Sequence, residues 1–80
     1  MIAKPQNCVA SALAWRNIPP GVQASIALLC EQRHIVAVRR NRNGTLRYSV
    51  DGKREMDAAT MTRLFFADNL RELVDRIKDN

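Results

Sequence analysis

The chain has 80 residues, an ordinary apolar content of 46% and a net charge of +5 at pH 7. This length indicates one small basic domain, residues 1–80, and the apolar content excludes a wholly disordered chain. The sequence shows neither an apolar run of membrane-spanning length nor a signal-peptide pattern, so we expect a cytoplasmic protein without membrane contact. The positive charge is local, because residues 1–56 contain nine Lys/Arg and three Asp/Glu, whereas residues 57–80 contain four and five.

The sequence contains no motif for catalysis or for cofactor binding. It has one histidine, His34, and lacks a glycine-rich phosphate loop, a Ser/His/Asp set and a helical HExxH pair. We therefore predict that the protein is not an enzyme and uses no cofactor. Cys8 and Cys30 are widely spaced, and with a single histidine they make a poor metal site. We expect both to be reduced thiols that pack as small hydrophobes in helices.

Two helices are predicted before the first strand. Asn7 has a side chain suited to the N-cap of a helix over residues 8–16, in which Trp15 would anchor the core. The two prolines that follow end this helix, because proline disfavours the helical region for the residue before it. A second helix is predicted from about residue 20 to residue 33, since its apolar residues recur at helical spacing. That stripe consists of Val22, Ile26, Leu29 and Cys30.

Residues 34–56 predict antiparallel strands, because apolar and β-branched residues alternate between turn signals. Asn43-Gly44 is typical of a two-residue turn, and such a turn would place Arg40 directly opposite Arg47. Like charges at directly opposite positions destabilise a sheet, so an anion beside them would be favourable. That anion could be a phosphate, a carboxylate or solvent counterions alone, and the sequence does not choose among them.

The same two-residue turn predicts which face of the hairpin is buried. Side chains alternate between the two faces of a strand, and the apolar residues away from the turn would face the core. In that register Arg39 is paired with Tyr48, where the guanidinium can lie on the aromatic ring. The predicted core face consists of Ile35, Ala37, Arg39 and Asn41 opposite Leu46, Tyr48 and Val50.

A second turn at Asp51-Gly52 is predicted to be a three-residue loop over residues 51–53. A two-residue loop would turn the charged residues that follow towards the core, whereas a three-residue loop places Met56 beside Tyr48. We therefore expect a short third strand over residues 54–56. The predicted fold is α+β: two N-terminal helices, a three-stranded antiparallel β-meander, then one long or two short C-terminal helices.

The C-terminal region permits two interpretations. Asp57 can cap a helix that begins at Ala58, but the apolar stripe of this helix changes sides part of the way along it. Either the helix breaks at residues 67–69, with Asn69 and Glu72 forming a capping pair, or one continuous helix offers its second face to another copy of the chain. The first interpretation is favoured because Asp and Asn suit caps better than helix interiors.

The charge pattern favours a small regulatory module that binds nucleic acid, with DNA as the first expectation. Arg40, Arg42 and Arg47 would contact phosphates, giving an affinity that falls with salt and carries no sequence information. Arg47 has a predicted acidic neighbour in Asp57, so Arg40 and Arg42 are the cations that folding explains least. The predicted nucleic-acid site consists of Arg40, Arg42, Arg47, Lys53 and Arg54.

Residues 27–50, ALLCEQRHIVAVRRNRNGTLRYSV, resemble the recognition helix and wing of winged-helix DNA-binding domains. The resemblance implies that the basic hairpin touches DNA, but only two helices are predicted before the hairpin, so a full helix-turn-helix is not evident. From the second predicted helix onwards, the order of helix, three strands and helix is also similar to double-stranded-RNA-binding domains. Both are likenesses of fold alone, and neither assigns a family.

The alternative function is that of a protein-interaction module, such as a small inhibitor or adaptor. Its arginine face would meet an acidic protein surface, or its second C-terminal apolar face would meet a partner or another copy of the chain. Exposure of that second face in the monomer would favour this alternative. The predicted protein interface consists of Phe66, Leu70, Leu73 and Ile77.

Overall fold

The computed structural model describes residues 2–11, 13–67 and 70–78, the last range without the side chains of residues 70, 72, 76 and 77. The sheet has three strands and is covered by helices on one face. The elements in chain order are β1 (Val9–Ser11), a turn of 3-10 helix (Trp15–Asn17), α1 (Pro20–Glu31), β2 (Val36–Arg40), β3 (Leu46–Val50), α2 (Ala58–Phe66) and α3 (Leu70–Lys78).

The N-terminal region differs from the prediction, and this changes the fold. Residues 8–16 do not form a helix: β1 pairs in parallel with β2, through Val9 with Val36 and Ser11 with Val38. Since β2 is antiparallel to β3, the sheet is mixed, with the order β1-β2-β3. The predicted antiparallel meander is therefore wrong, and among the described residues one α-helix, not two, precedes the hairpin.

Long-range contacts explain why this alanine-rich segment is extended. Val36 donates its backbone N–H to the carbonyl oxygen of Cys8 at 2.8 Å. A disulfide joins Cys8 to Cys30 in the last turn of α1, with the Cα atoms 5.8 Å apart. Trp15 packs against the core and donates its indole Nε1–H to the carbonyl oxygen of Ile2 at 2.5 Å. Tertiary contacts such as these override a weak helix propensity. The expectation of two reduced thiols is therefore wrong, and of the two cysteines only Cys30 lies in a helix as predicted.

Helix α1 is close to its prediction and supplies much of the core. Its first residue is Pro20, where the missing N–H would have no helical partner in any case. It ends at Glu31, two residues before the predicted end, because Arg33 adopts a left-handed φ of 69° and His34 donates its N–H back to the carbonyl of Leu29 at 2.9 Å. The buried residues of α1 are Gln23, Ala24, Ser25, Ile26, Ala27, Leu28 and Leu29.

The hairpin of β2 and β3 is shifted by one residue from the predicted register. Arg39, not Arg40, lies opposite Arg47, and Val38 lies opposite Tyr48. A two-residue turn would need a positive φ at both Asn43 and Gly44, but of the two only Gly44 has one, at 88°. The chain instead forms a three-residue loop over 42–44.

The one-residue shift decides which face of β2 is buried. Val36 and Val38 are buried, whereas Ile35 is 56% exposed and Ala37 is also exposed. The predicted core face is therefore wrong for β2 and right for Tyr48 and Val50 of β3. The shift buries two β-branched valines where the prediction had buried Ile35 and Ala37. Within the described residues, the opposite face of the sheet carries no helix, and it exposes Arg39.

After β3 the chain follows the predicted path more closely. Tyr48 and Met56 exchange backbone hydrogen bonds of 2.8 Å in each direction, so the loop at residues 51–53 has the predicted length, although Met56 forms an isolated bridge rather than a strand. Asp57 caps α2, as its carboxylate accepts the N–H of Thr60 at 2.7 Å.

The C-terminal region contains two separate helices, α2 and α3, and α3 packs against α1. The capping pair predicted between Asn69 and Glu72 lies outside the described residues. Within the described part of the chain, no helix is long and apolar enough to cross a membrane.

Candidate nucleic-acid interface

The end of the β2–β3 hairpin is a tight loop that presents Arg42 at its tip. The N–H of Gly44 donates to the carbonyl of Asn41 at 3.0 Å, and the N–H of Thr45 donates to the side-chain oxygen of Asn43 at 3.1 Å. A type I turn followed by a left-handed glycine is the usual three-residue hairpin loop. The loop therefore holds Arg42 and its neighbour in sequence, Asn43, exposed beyond the sheet.

Arg39 is held by an acidic partner that the sequence-based register did not assign to it. Its Nε and Nη2 atoms each donate to a carboxylate oxygen of Glu55 at 2.7 Å. This bidentate pair raises the pKa of Arg39 and lowers that of Glu55. The predicted stacking of Arg39 on Tyr48 is wrong, because the two side chains project from opposite faces of the sheet. Arg39 is therefore already neutralised within the fold.

Arg47 shares the same acidic neighbourhood. It lies opposite Arg39 across the hairpin, so the predicted pair of like charges exists but involves a different arginine. One guanidinium nitrogen of Arg47 lies 3.5 Å from the backbone oxygen of Glu55. Hydrogen bonding from Thr60 is the main cause that lowers the pKa of Asp57, and the charge of Arg47 adds to it. The expected proximity of Arg47 and Asp57 is confirmed. Arg47 is half-buried and less available to a partner than the arginines of the hairpin end.

Arg40 and Arg42 are exposed, and neither has an ion pair or side-chain hydrogen bond with any described residue. Arg40 is the last residue of β2 and lies opposite Leu46, on the helix-bearing face of the sheet but beyond the buried pairs. Arg42 follows two residues later in the loop. Both arginines lie at the turn end of the hairpin, which we call the hairpin tip (Arg40 and Arg42).

Lys53 and Arg54 do not lie at the hairpin tip. They follow β3, at the opposite end of the hairpin, separated from the tip by the length of that strand, roughly 14 Å at 3.4 Å per residue. Both are exposed. The carbonyl of Lys53 accepts a hydrogen bond from Ser49 Oγ at 2.6 Å, which fixes the backbone of this loop. The five predicted site residues therefore divide into a tip pair, Arg47 in the middle, and a pair at the base.

A polar cluster that the sequence did not reveal lies at the base of the hairpin. His34 Nδ1 is 2.7 Å from a carboxylate oxygen of Asp51, and the other oxygen accepts the N–H of Ile35 at 2.9 Å. These contacts lower the pKa of Asp51, the backbone N–H of Ile35 being the largest cause. The His34 ring also meets the edge of Phe65, with centroids 5.6 Å apart. The cluster connects the start of β2 to the turn after β3 and agrees with a connecting role for His34.

The predicted apolar interface is partly buried in the chain's own core. Phe66 is fully buried and Leu73 is 4% exposed, so these two residues do not offer a surface in the monomer. The side chains of Leu70 and Ile77 lie outside the described residues. Exposure of this face in the monomer would have favoured protein interaction, but Phe66 and Leu73, the two members with described side chains, are not exposed.

The chain matches no family model, no curated protein and no solved structure at a significant level. The likeness of residues 27–50 to a winged helix gains no support from these comparisons, and β1 lies parallel to β2 beside the hairpin. Among the described residues, no group of three or more His, Cys, Asp or Glu side chains is placed to hold a metal ion. Function must therefore be argued from the chemistry of the exposed surface.

Proposed function

We propose that the protein is a small cytoplasmic nucleic-acid-binding module, acting on DNA, whose hairpin tip contacts phosphates. The observation that carries the proposal is a difference in charge pairing between neighbouring arginines. Arg39 is neutralised by Glu55, whereas Arg40 and Arg42 have no acidic partner among the described residues. Guanidinium groups match phosphate oxygens in geometry and charge. An exposed hairpin that ends in two arginines without a partner in the described part of the chain is suited to a groove or a phosphate backbone.

The local charge supports the same conclusion. Residues 33–54 contain seven Lys/Arg and one Asp, so the hairpin and its flanks form a strongly positive region. A positive surface of this kind attracts polyanions and releases their counterions on binding. The split of the predicted site means that Lys53 and Arg54 reach only a nucleic acid that runs along the hairpin. The tip is therefore assigned the main contact.

A salt titration of DNA binding tests the proposal. Fluorescence anisotropy with a labelled random duplex is recorded for the unchanged protein and for the Arg40→Gln/Arg42→Gln variant. Loss of two phosphate contacts lowers the slope of log K against log salt by about 2 and weakens binding at low salt about tenfold or more. The matched control is Arg71→Gln/Lys78→Gln, which makes the same charge change at two exposed positions on α3.

Two results would contradict the proposal. In one, the α3 variant weakens binding as much as the tip variant, which would show that only net charge matters. In the other, duplex DNA does not bind even at low salt. A third result would assign the arginines to a protein interface: an acidic protein is captured even after nuclease treatment, and the tip variant abolishes that capture.

A further inference from the structure

We propose that the Cys8–Cys30 disulfide is a redox-controlled latch on β1: its reduction releases the N-terminal strand and leaves the α1–β2–β3 core folded. This inference goes beyond the proposed function and does not depend on it. It rests on how little else holds β1, on where the two sulfur atoms lie, and on which residues build the core.

The first observation is that β1 is weakly anchored. It is an edge strand of three residues, Val9–Ser11, that pairs in parallel with β2 through three residue pairs. None of its three residues is fully buried. Short strand pairs have little stability of their own, and parallel pairing is slightly the weaker kind. The disulfide at Cys8, directly before β1, is therefore a major restraint on the strand.

The second observation is that the core does not need β1. The buried apolar residues of the described chain come from Ile18 onwards, in α1, β2, β3, α2 and α3. From residues 2–11 only Ile2 and Val9 pack against that core, and both remain partly exposed. Release of this segment would therefore uncover one edge of β2 without opening the buried cluster.

The third observation is that the disulfide is accessible. Cys8 and Cys30 are both partly exposed, and both line a surface groove between the N-terminal segment, which contributes Lys4, and α1, which contributes Ala27. Exposed disulfides exchange more readily with thiols than buried ones, and they are the labile or regulatory kind. In a reducing compartment, such a bond is expected to open and close rather than to persist.

A dithiol reductant opens the bond in two exchange steps. A thiolate of the reductant attacks one sulfur atom of the Cys8–Cys30 bond, forming a mixed disulfide and releasing the other cysteine as a thiolate. The second thiol of the reductant then displaces the attached cysteine and closes its own disulfide. The protein gains two electrons and two protons and ends with two thiols, while the reductant is oxidised. The reverse reaction with an oxidised dithiol restores the latch.

Hydrogen exchange of two backbone amides tests the proposal, with dithiothreitol as the reductant. The backbone N–H of Val36 donates a hydrogen bond to the carbonyl oxygen of Cys8, so reduction should speed the hydrogen exchange of Val36 at least tenfold. The backbone N–H of Tyr48 donates a hydrogen bond to the carbonyl oxygen of Met56, away from β1, so its exchange rate should change less than threefold. The Cys8→Ser/Cys30→Ser variant should show the reduced pattern with or without dithiothreitol. It serves as the control for direct effects of the reagent.

Three outcomes would overturn the proposal. Unchanged protection of Val36 in the reduced protein would show that β1 remains in place without the bond. Equal acceleration at Val36 and Tyr48 would show that reduction unfolds the whole domain rather than one strand. A disulfide that dithiothreitol reduces only after denaturant is added would not be accessible in the folded state.

Discussion

The register of the hairpin can be tested by comparing two neighbouring residues, Ile35 and Val36. The structure buries Val36 completely and leaves Ile35 56% exposed. The two-residue turn suggested by Asn43-Gly44 would reverse these positions and bury the isoleucine. Truncating each residue to alanine, in Ile35→Ala and Val36→Ala, therefore gives opposite rankings for the two registers.

The expected magnitudes follow from burial. Val36→Ala removes two methyl groups from a site with no exposure, which costs about 1.6 kcal/mol of transfer free energy at about 0.8 kcal/mol per group. The cavity left behind raises the loss to about 2 kcal/mol or slightly more. Ile35→Ala removes more atoms, but from a side chain that is more than half exposed, so we expect a loss below about 1 kcal/mol.

Urea unfolding followed by far-UV circular dichroism measures both losses. With a slope of about 1 kcal/mol per molar urea for a domain of this size, Val36→Ala should lower the midpoint by about 2 M. The slope should remain the same in all three proteins, since a changed slope would indicate an altered unfolded or native state. If Ile35→Ala costs as much as Val36→Ala, the observed register is refuted.

Two further predictions concern Asp57 and the pH dependence of stability. Asp57→Ala removes the cap of α2 and should lower the midpoint of urea unfolding, whereas Asp57→Asn keeps a capping oxygen and should lower it much less. Equal decreases in the two variants would contradict a capping role. Hydrogen bonds and ion pairs lower the pKa of Asp51, Glu55 and Asp57 from ordinary values of 3.8, 4.5 and 3.8. The three carboxylates therefore stabilise the fold fully above their ordinary pKa values. This stabilisation is lost as the pH falls through their lowered pKa values in the folded protein. The thermal midpoint should therefore decrease below about pH 4, and a midpoint that stays constant down to pH 2 would exclude these contributions.

The candidate site could be predicted only in part from the sequence. Crowding of arginines at one hairpin was evident, and Arg40 and Arg42 remain the cations without partners among the described residues. The ion pair between Arg39 and Glu55 was missed because the predicted register, shifted by one residue, placed Arg39 on the other face of the sheet. The predicted three-residue loop places Met56 beside Tyr48, so its neighbour Glu55 falls on the opposite face of the sheet. A register that placed Arg39 on that face would have revealed the pair.

Local signals determined the elements that local forces control. Helix α1 follows from an uninterrupted apolar stripe with a proline at its first position, and the cap at Asp57 follows from one carboxylate before a helix. The loop at residues 51–53 also followed from the sequence, since a two-residue loop would have turned charged side chains towards the core. In each case only one arrangement satisfied the polar and apolar residues together.

Tertiary structure decided what the sequence left degenerate. Along residues 35–38, Ile-Val-Ala-Val, the side chains on both faces of the strand are apolar. The alternation of polar and apolar residues therefore does not indicate which face of β2 is buried, and packing against α1 and β3 decides it. The segment around β1 is rich in alanine and permits a helix, but pairing with β2 and the bond to Cys30 make it a strand. Both depend on residues distant in sequence, which local propensity cannot detect.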